Sequence, residues 1–236
     1  LSIYYQDDFV TLYHGDCLEQ TAWLDADVLV TDPPYGIAWE ANSLVIGSKD
    51  IRDASYQSVL NDDSIIVRDE MLKMWGKKTA IVFGTWKIDR PKNTTNILIW
   101  HKTGKTPGVM NHPFYSIHEE IYILGKGFVG KPLASVLTTH EHRPSHVQKI
   151  GHPTPKPIGL MEILIAKTEG IVADPFAGSG STLLAARNLG RKAIGVEYEE
   201  KYCELIAKRL SQQTFTFTAP ASNAVKKEEP VTLFND

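Results

Sequence analysis

The chain has 236 residues, 42% of them hydrophobic and 22% charged, with a net charge of −3, proportions that suit one globular core and exclude a fibrous or low-complexity chain. No apolar run reaches the roughly 18 residues of a membrane span, and the acidic first residues do not read as a signal peptide. Only Cys17 and Cys203 are present, far apart, which excludes a disulfide framework or a thiolate metal site and makes a reducing cytoplasm the expected compartment.

In chain order, seven short apolar runs read as buried strands: 11–14, 28–31, 80–83, 97–100, 121–124, 171–173 and 192–196. Segments 65–75, 158–167, 181–189 and 199–210 have helical spacing and fall between several of those strands. Such alternation predicts an α/β fold, a mostly parallel sheet with helices on both faces, in a single domain over 1–210. The polar stretch 40–63 and the proline-rich stretch 125–157 read as long loops, a kind that usually carries function. The tail, 211–236, lacks helical spacing and reads as mobile.

Charge is unevenly placed. Lys78, Lys87, Arg90, Lys92 and Lys102 lie between Lys77 and Lys105 against one acid, Asp89. Lys131, Arg143 and Lys149 lie between Lys126 and Lys156 with four histidines and the single acid Glu141. An acidic chain can thus present one basic face to phosphates, although solvated surface charge gives the same pattern.

Two turns carry chemistry. The first is Asp32-Pro-Pro-Tyr, which follows the apolar run 28–31. Pro33 and Pro34 cannot continue a strand ladder, so the chain leaves the sheet there with a stiff backbone. The Asp32 carboxylate and the Pro33 carbonyl then form a rigid pair of acceptors for the two hydrogens of an amino group, and Tyr35 offers a flat face to a base. An aromatic amine is a weak nucleophile because its lone pair is delocalised. Acceptors placed out of the ring plane pull the nitrogen toward tetrahedral geometry, so positioning can replace a strong base.

The second turn is Asp174-Pro-Phe-Ala-Gly-Ser-Gly, between a strand and a helix. Gly178 and Gly180 permit close backbone approach to a ligand, with Ser179 between them and free N–H groups behind. A phosphate-cradling loop would need a lysine, which is missing, and GxGxxG is not met. A nucleoside with a charged amino-acid arm fits better, since Asp174 can hold an ammonium group. Glu197 ends the next strand about twenty residues on, where an acid grips ribose hydroxyls. The histidines 140, 142, 146 and 152 match no zinc spacing, so no metal is expected.

These motifs together resemble the amino-methylating DNA methyltransferases in their circularly permuted β-class order, in which the DPPY motif precedes the cofactor motif. The resemblance covers most of 11–210. It implies a Rossmann-like, seven-stranded S-adenosylmethionine-dependent methyltransferase fold, parallel apart from one antiparallel strand. It implies S-adenosylmethionine as cofactor, held by Asp174, Phe176, Gly178, Ser179, Gly180 and Glu197, with Asp16 and the Cys17 backbone at its adenine. Thr154 and Lys156, in a segment similar to the family's HPTxKP, are implied at the methionine carboxylate. Asp32, Pro33, Pro34 and Tyr35 become the catalytic set, acting on N6 of an adenine flipped out of double-stranded DNA. The alternatives are N4 of cytosine, whose enzymes more often carry serine at the Asp32 position, a non-catalytic DNA-binding protein, and an RNA or protein-amide methyltransferase. Loops 40–63 and 125–157 are implied in target recognition, by a monomer or homodimer.

Overall fold

Strand segments that are apolar on both sides need cover on both faces, and the chain supplies it. The computed structural model describes residues 2–35, 65–103, 114, 116–139, 152 and 155–213. Among them lie strands β1 (Ile3–Gln6), β2 (Val10–His14), β3 (Val28–Thr31), β4 (Thr79–Gly84), β5 (Thr94–Lys102), β6 (His118–Leu124), β7 (Val136–Thr139), β8 (Val172–Asp174) and β9 (Ala193–Glu197). The helices are α1 (Ile66–Trp75), α2 (Ile158–Ile165), α3 (Ser181–Asn188) and α4 (Glu200–Gln213), with a single 3-10 segment at Thr21–Asp25.

One sheet runs in the order β1-β2-β9-β8-β3-β4-β6-β5-β7. Strands β2, β9, β8, β3 and β4 are mutually parallel, and β6 runs antiparallel to both β4 and β5. Seven consecutive strands, β2 to β5 in sheet order, are therefore the expected Rossmann-like methyltransferase sheet with β6 as its one reversed strand. Two further strands extend it. β1 adds antiparallel to β2, and β7 adds parallel to β5. The described sheet thus has nine strands, two of them reversed, rather than seven with one. β7 lies inside the stretch read as loop, and α4 continues three residues past the expected end of the folded domain.

Burial explains the layering. All four residues of β3 are buried, as expected for a strand covered on both faces. Val28, Val30, Ile81 and Phe83 face Leu160, Leu164, Leu183 and Ile206 of α2, α3 and α4. On the opposite face Leu29, Ala80, Val82 and Tyr122 pack on Trp23, Met71 and Trp75. Trp23 stacks on Trp75 with ring centroids 5.8 Å apart, and each such buried side chain contributes about 1.5–3 kcal/mol.

This arrangement positions the two informative turns. Val28 pairs with Val172 and Leu29 with Ala173, so β3 and β8 end side by side. From β8 the chain crosses to β9 through α3 on one face; from β3 it reaches β4 through α1 on the other. Connections that diverge to opposite faces open a crevice beyond the carboxyl ends of the strands.

Candidate active site

Asp32 leaves the sheet directly after β3. Its Oδ1 accepts the Tyr35 hydroxyl at 2.7 Å, and its Oδ2 accepts the Lys156 ammonium. The same Lys156 ammonium lies 3.4 Å from Glu119 Oε2, and the Tyr35 hydroxyl is 3.3 Å from that oxygen. Glu119 Oε1 in turn accepts the ammonium of Lys102. Register places Glu119 of β6 opposite Trp100 of β5, two residues before Lys102. Two carboxylates, two ammonium groups and one hydroxyl thus form a single network at the end of β3, β5 and β6, over the Phe83 ring, whose centroid is 5.0 Å from Lys156 Nζ.

The electrostatics of the network are asymmetric. Burial opposes ionisation of Glu119, yet Lys156 and Lys102 hold its carboxyl down at about 2. Burial raises the Asp32 carboxyl above its usual range; Lys156 pulls it back and Glu119 pushes it up. Asp32 keeps 25% of its side chain open to solvent and is paired with the Lys156 ammonium. Burial lowers the Lys156 ammonium, but Asp32 and Glu119 overcompensate and raise it.

At the neighbouring turn, Asp174 is buried and accepts the Thr31 hydroxyl at 2.7 Å and the Phe176 amide at 3.2 Å. Burial raises its carboxyl to about 6 against hydrogen bonds from Thr182, Thr31 and the Phe176 amide, with the Asp32 charge adding to the rise. Glu197 Oε2 accepts the Gly178 amide at 2.7 Å and Oε1 the Glu199 amide at 2.8 Å. Burial raises this carboxyl to about 7. Ser179 is buried, with its hydroxyl 3.1 Å from that of Ser181, while its carbonyl accepts the Arg209 guanidinium.

Asp16 and Cys17 reach the same edge because β2 runs parallel to β9, with His14 opposite Glu197 and the Gly15 amide donating to the Glu197 carbonyl at 2.9 Å. Asp16 Oδ1 caps its own turn by accepting the Leu18 amide at 2.8 Å. Cys17 is buried, its carbonyl accepting the Trp23 indole N–H at 2.9 Å. Burial pushes its thiol up to about 12, so it is no nucleophile.

The structure adds contacts to several of the expected residues. Lys156, expected at the methionine carboxylate of the cofactor, pairs with Asp32 and Glu119. Gly178, at φ +49°, faces the ring of His152, and a Cβ there would lie 3.1 Å from Nε2. Gly180, however, serves packing: at φ +78° it heads α3, and a Cβ would meet Ile206 Cγ1 at 2.9 Å. In the described part of the basic stretch, Lys77, Lys78, Lys87, Arg90 and Lys92 are exposed and only Lys102 is buried. Lys78 donates to the carbonyls of Leu24 and Ala26, Arg90 pairs with Glu120, and Lys102 is buried on Glu119. Thr154, loop 40–63, the histidines 140, 142 and 146, and residues 214–236 lie outside the described residues. Thr31, Lys102, Glu119 and Thr182 were not read from the sequence as site residues. Lys102 and Glu119 lie in the polar ends of their strands, His101-Lys102 and His118-Glu119-Glu120, where a charge does not stand out.

Comparison with known proteins decides the family, for the DNA methylase profile covering N6 and N4 enzymes matches residues 26–209. The chain belongs to that family. It is 30% identical over 210 residues, 84% of this chain and 88% of the other, to a methylase designated YubD from Escherichia coli (strain K12). Among solved structures, the M1.HpyAVI–SAM complex superposes with a TM-score of 0.61 at 22% identity, covering 85% of this chain and 98% of the other. The PvuII cytosine-N4-specific DNA methyltransferase also gives 0.61, at 16% identity over 93% and 90% of the two chains, a likeness of fold alone.

The protein is thus a DNA methyltransferase that uses S-adenosylmethionine, and its residues fit that cofactor. Each Glu197 oxygen takes one backbone amide and keeps further lone pairs for ribose hydroxyls. Asp174 places a second buried carboxylate one strand away, where a cationic arm is welcome and a pyrophosphate is not.

Proposed function

We propose that this protein methylates N6 of adenine in double-stranded DNA, in the permuted β-class motif order, on a base flipped out of the stack. The observation that carries the reading is the adjacency of β3, directly followed by Asp32, and β8, which ends at Asp174, the two tied by the Thr31–Asp174 hydrogen bond of 2.7 Å. Chain order supports the permuted arrangement, because Asp32-Pro-Pro-Tyr comes before the glycine turn.

S-adenosylmethionine supplies, when bound, a methyl group on a positively charged sulfur. Gly178, Asp174, Glu197 and the Asp16–Cys17 turn would hold it, with Lys156 and Thr154 proposed at its carboxylate. The chain does the rest. The Asp32 carboxylate and Pro33 carbonyl accept the two amine hydrogens, and Tyr35 lies against the base. The amine lone pair, once localised, would be directed at the methyl carbon, the new N–C bond replacing the S–C bond so that a neutral thioether leaves, and the Asp32 carboxylate would accept the proton the nitrogen sheds. Aspartate at position 32 favours adenine over cytosine N4, the second reading.

Replacing Asp32 with alanine tests the assignment. Methylation should fall by about a thousandfold or more, as for loss of a principal transition-state contact, with cofactor affinity retained. Full turnover in Asp32→Ala would remove Asp32 from the reaction.

A further inference from the structure

We infer that Glu119, charged and fixed by Lys102, is a positioning residue for methyl transfer: it holds Lys156 and the Tyr35 hydroxyl in place around Asp32. The inference rests on the proposed amine-binding role of Asp32 and extends it to a strand on the far side of β4.

Three observations carry it. First, one Glu119 oxygen serves two partners, the Lys156 ammonium at 3.4 Å and the Tyr35 hydroxyl at 3.3 Å, and both of these also bind Asp32. The carboxylate therefore stands directly behind the acceptor pair. Second, Glu119 shows only 18% of its side chain to solvent, and Lys102 only 9%. A buried carboxylate beside another carboxylate is costly unless paired, so the burial of Lys102 with it is a matched device. Third, nothing in the fold demands these charges. Neighbouring β6 positions Ile121 and Ile123, on the same side of the strand, are apolar and pack into the core. An apolar pair at 102 and 119 would satisfy the sheet equally well.

The consequence is a divided duty for Lys156. Without Glu119 its ammonium would bind Asp32 alone, drawing the carboxylate away from the amine and weakening it as an acceptor. With Glu119 present the ammonium is shared, and Asp32 keeps lone pairs directed at the base. Among the described residues, Lys156 from the segment before α2, Glu119 from β6, Tyr35, and Asp174 from β8 are the charged and titratable groups that act on Asp32.

The test uses full-length protein with S-adenosylmethionine and duplex DNA. Glu119→Gln should lower kcat by at least about tenfold while KM for DNA and Kd for the cofactor stay within about threefold. The acidic limb of its kcat–pH profile should move to lower pH, because a group that raises Asp32 has gone and Lys156 now faces Asp32 alone. Glu119→Asp should recover part of the rate. Should Lys102, left beside a neutral amide, unfold the single variant, Lys102→Met/Glu119→Gln removes both buried charges and is assayed instead. Wild-type kcat in either folded variant overturns the inference, and so does a loss confined to KM and Kd with no change in pH profile. Loss of the fold in both variants would reduce Glu119 to a structural group. The Asp32→Ala enzyme separates the two claims: if it stays active, the Asp32 assignment fails, whereas an inactive Asp32→Ala beside a fully active Glu119→Gln refutes only the role of Glu119.

Discussion

Glu197 offers a stability prediction that can be worked from the geometry. It is 8% exposed, and burial, followed by the charges of Glu199 and Asp174, raises its carboxyl from 4.5 to about 7 against the amides of Glu199 and Gly178. A carboxyl that holds its proton more tightly in the folded chain than in the unfolded one stabilises the fold in acid. That contribution is complete below about 4.5 and is lost as pH rises through about 7. The whole effect is roughly 3 kcal/mol, of which roughly 2.5 kcal/mol falls between about pH 5 and about pH 8. Asp174 acts with the same sign over a lower window, from 3.8 to about 6. His152 opposes them, because burial lowers its imidazole to about 3 and its contribution grows as pH rises through 6.5, so the Glu197 part is isolated by comparing variant with wild type. Glu197→Gln never ionises, so on going from about pH 5 to about pH 8 it should gain roughly 2.5 kcal/mol relative to cofactor-free wild type in urea unfolding. A constant loss of about 1–3 kcal/mol accompanies it at both, since the glutamine NH₂ must face one of the backbone N–H groups. Equal pH dependence in variant and wild type would refute the claim that the fold stores an unfavourable buried carboxylate there. The same ionisation governs ligand binding: cofactor affinity should weaken as pH falls below about 7, as the acceptor for the ribose hydroxyls becomes protonated.

Trp23→Phe removes the indole N–H held by the Cys17 carbonyl at 2.9 Å, and should cost about 1–2 kcal/mol in urea unfolding while weakening cofactor binding several-fold in calorimetry. Unchanged cofactor affinity would mean that the Asp16–Cys17 turn does not depend on Trp23. Gly180→Ala combines a left-handed backbone with a Cβ 2.9 Å from Ile206 Cγ1, and should destabilise by about 2–4 kcal/mol. Gly190→Ala, at φ +68° with nothing within 4 Å of its Cβ, should cost only about 1 kcal/mol, and equal losses would show that strain rather than packing dominates at Gly180.

The central sheet was legible in the sequence because its strands are nearly continuous apolar runs. Val28-Leu-Val-Thr, with all four residues buried, could hardly be read otherwise. The two edge strands were not, for a physical reason. β1 has no buried residue, and in β7 only Leu137 is buried, so neither carries a hydrophobic pattern of its own. They form because β2 and β5 present unpaired edges. At the site, the residues at strand ends were readable because chain punctuation marks them: prolines after Asp32, glycines after Asp174. Glu119 and Lys102 were not, since their meeting depends on the β5–β6 register and on β6 reversing beside β4. Lys156 was marked by its proline-flanked segment, but its contact with Asp32, which spans 124 residues of chain, was not.

Incubating the purified protein with duplex DNA and S-adenosylmethionine carrying an isotopically labelled methyl group, then digesting the DNA to nucleosides for mass spectrometry, addresses the proposed reaction itself. Label in N6-methyldeoxyadenosine is the expected result. Label in N4-methyldeoxycytidine instead would contradict the choice of base, and unlabelled DNA from folded, cofactor-binding protein would contradict the assignment of the turns after β3 and β8 as a site of methyl transfer.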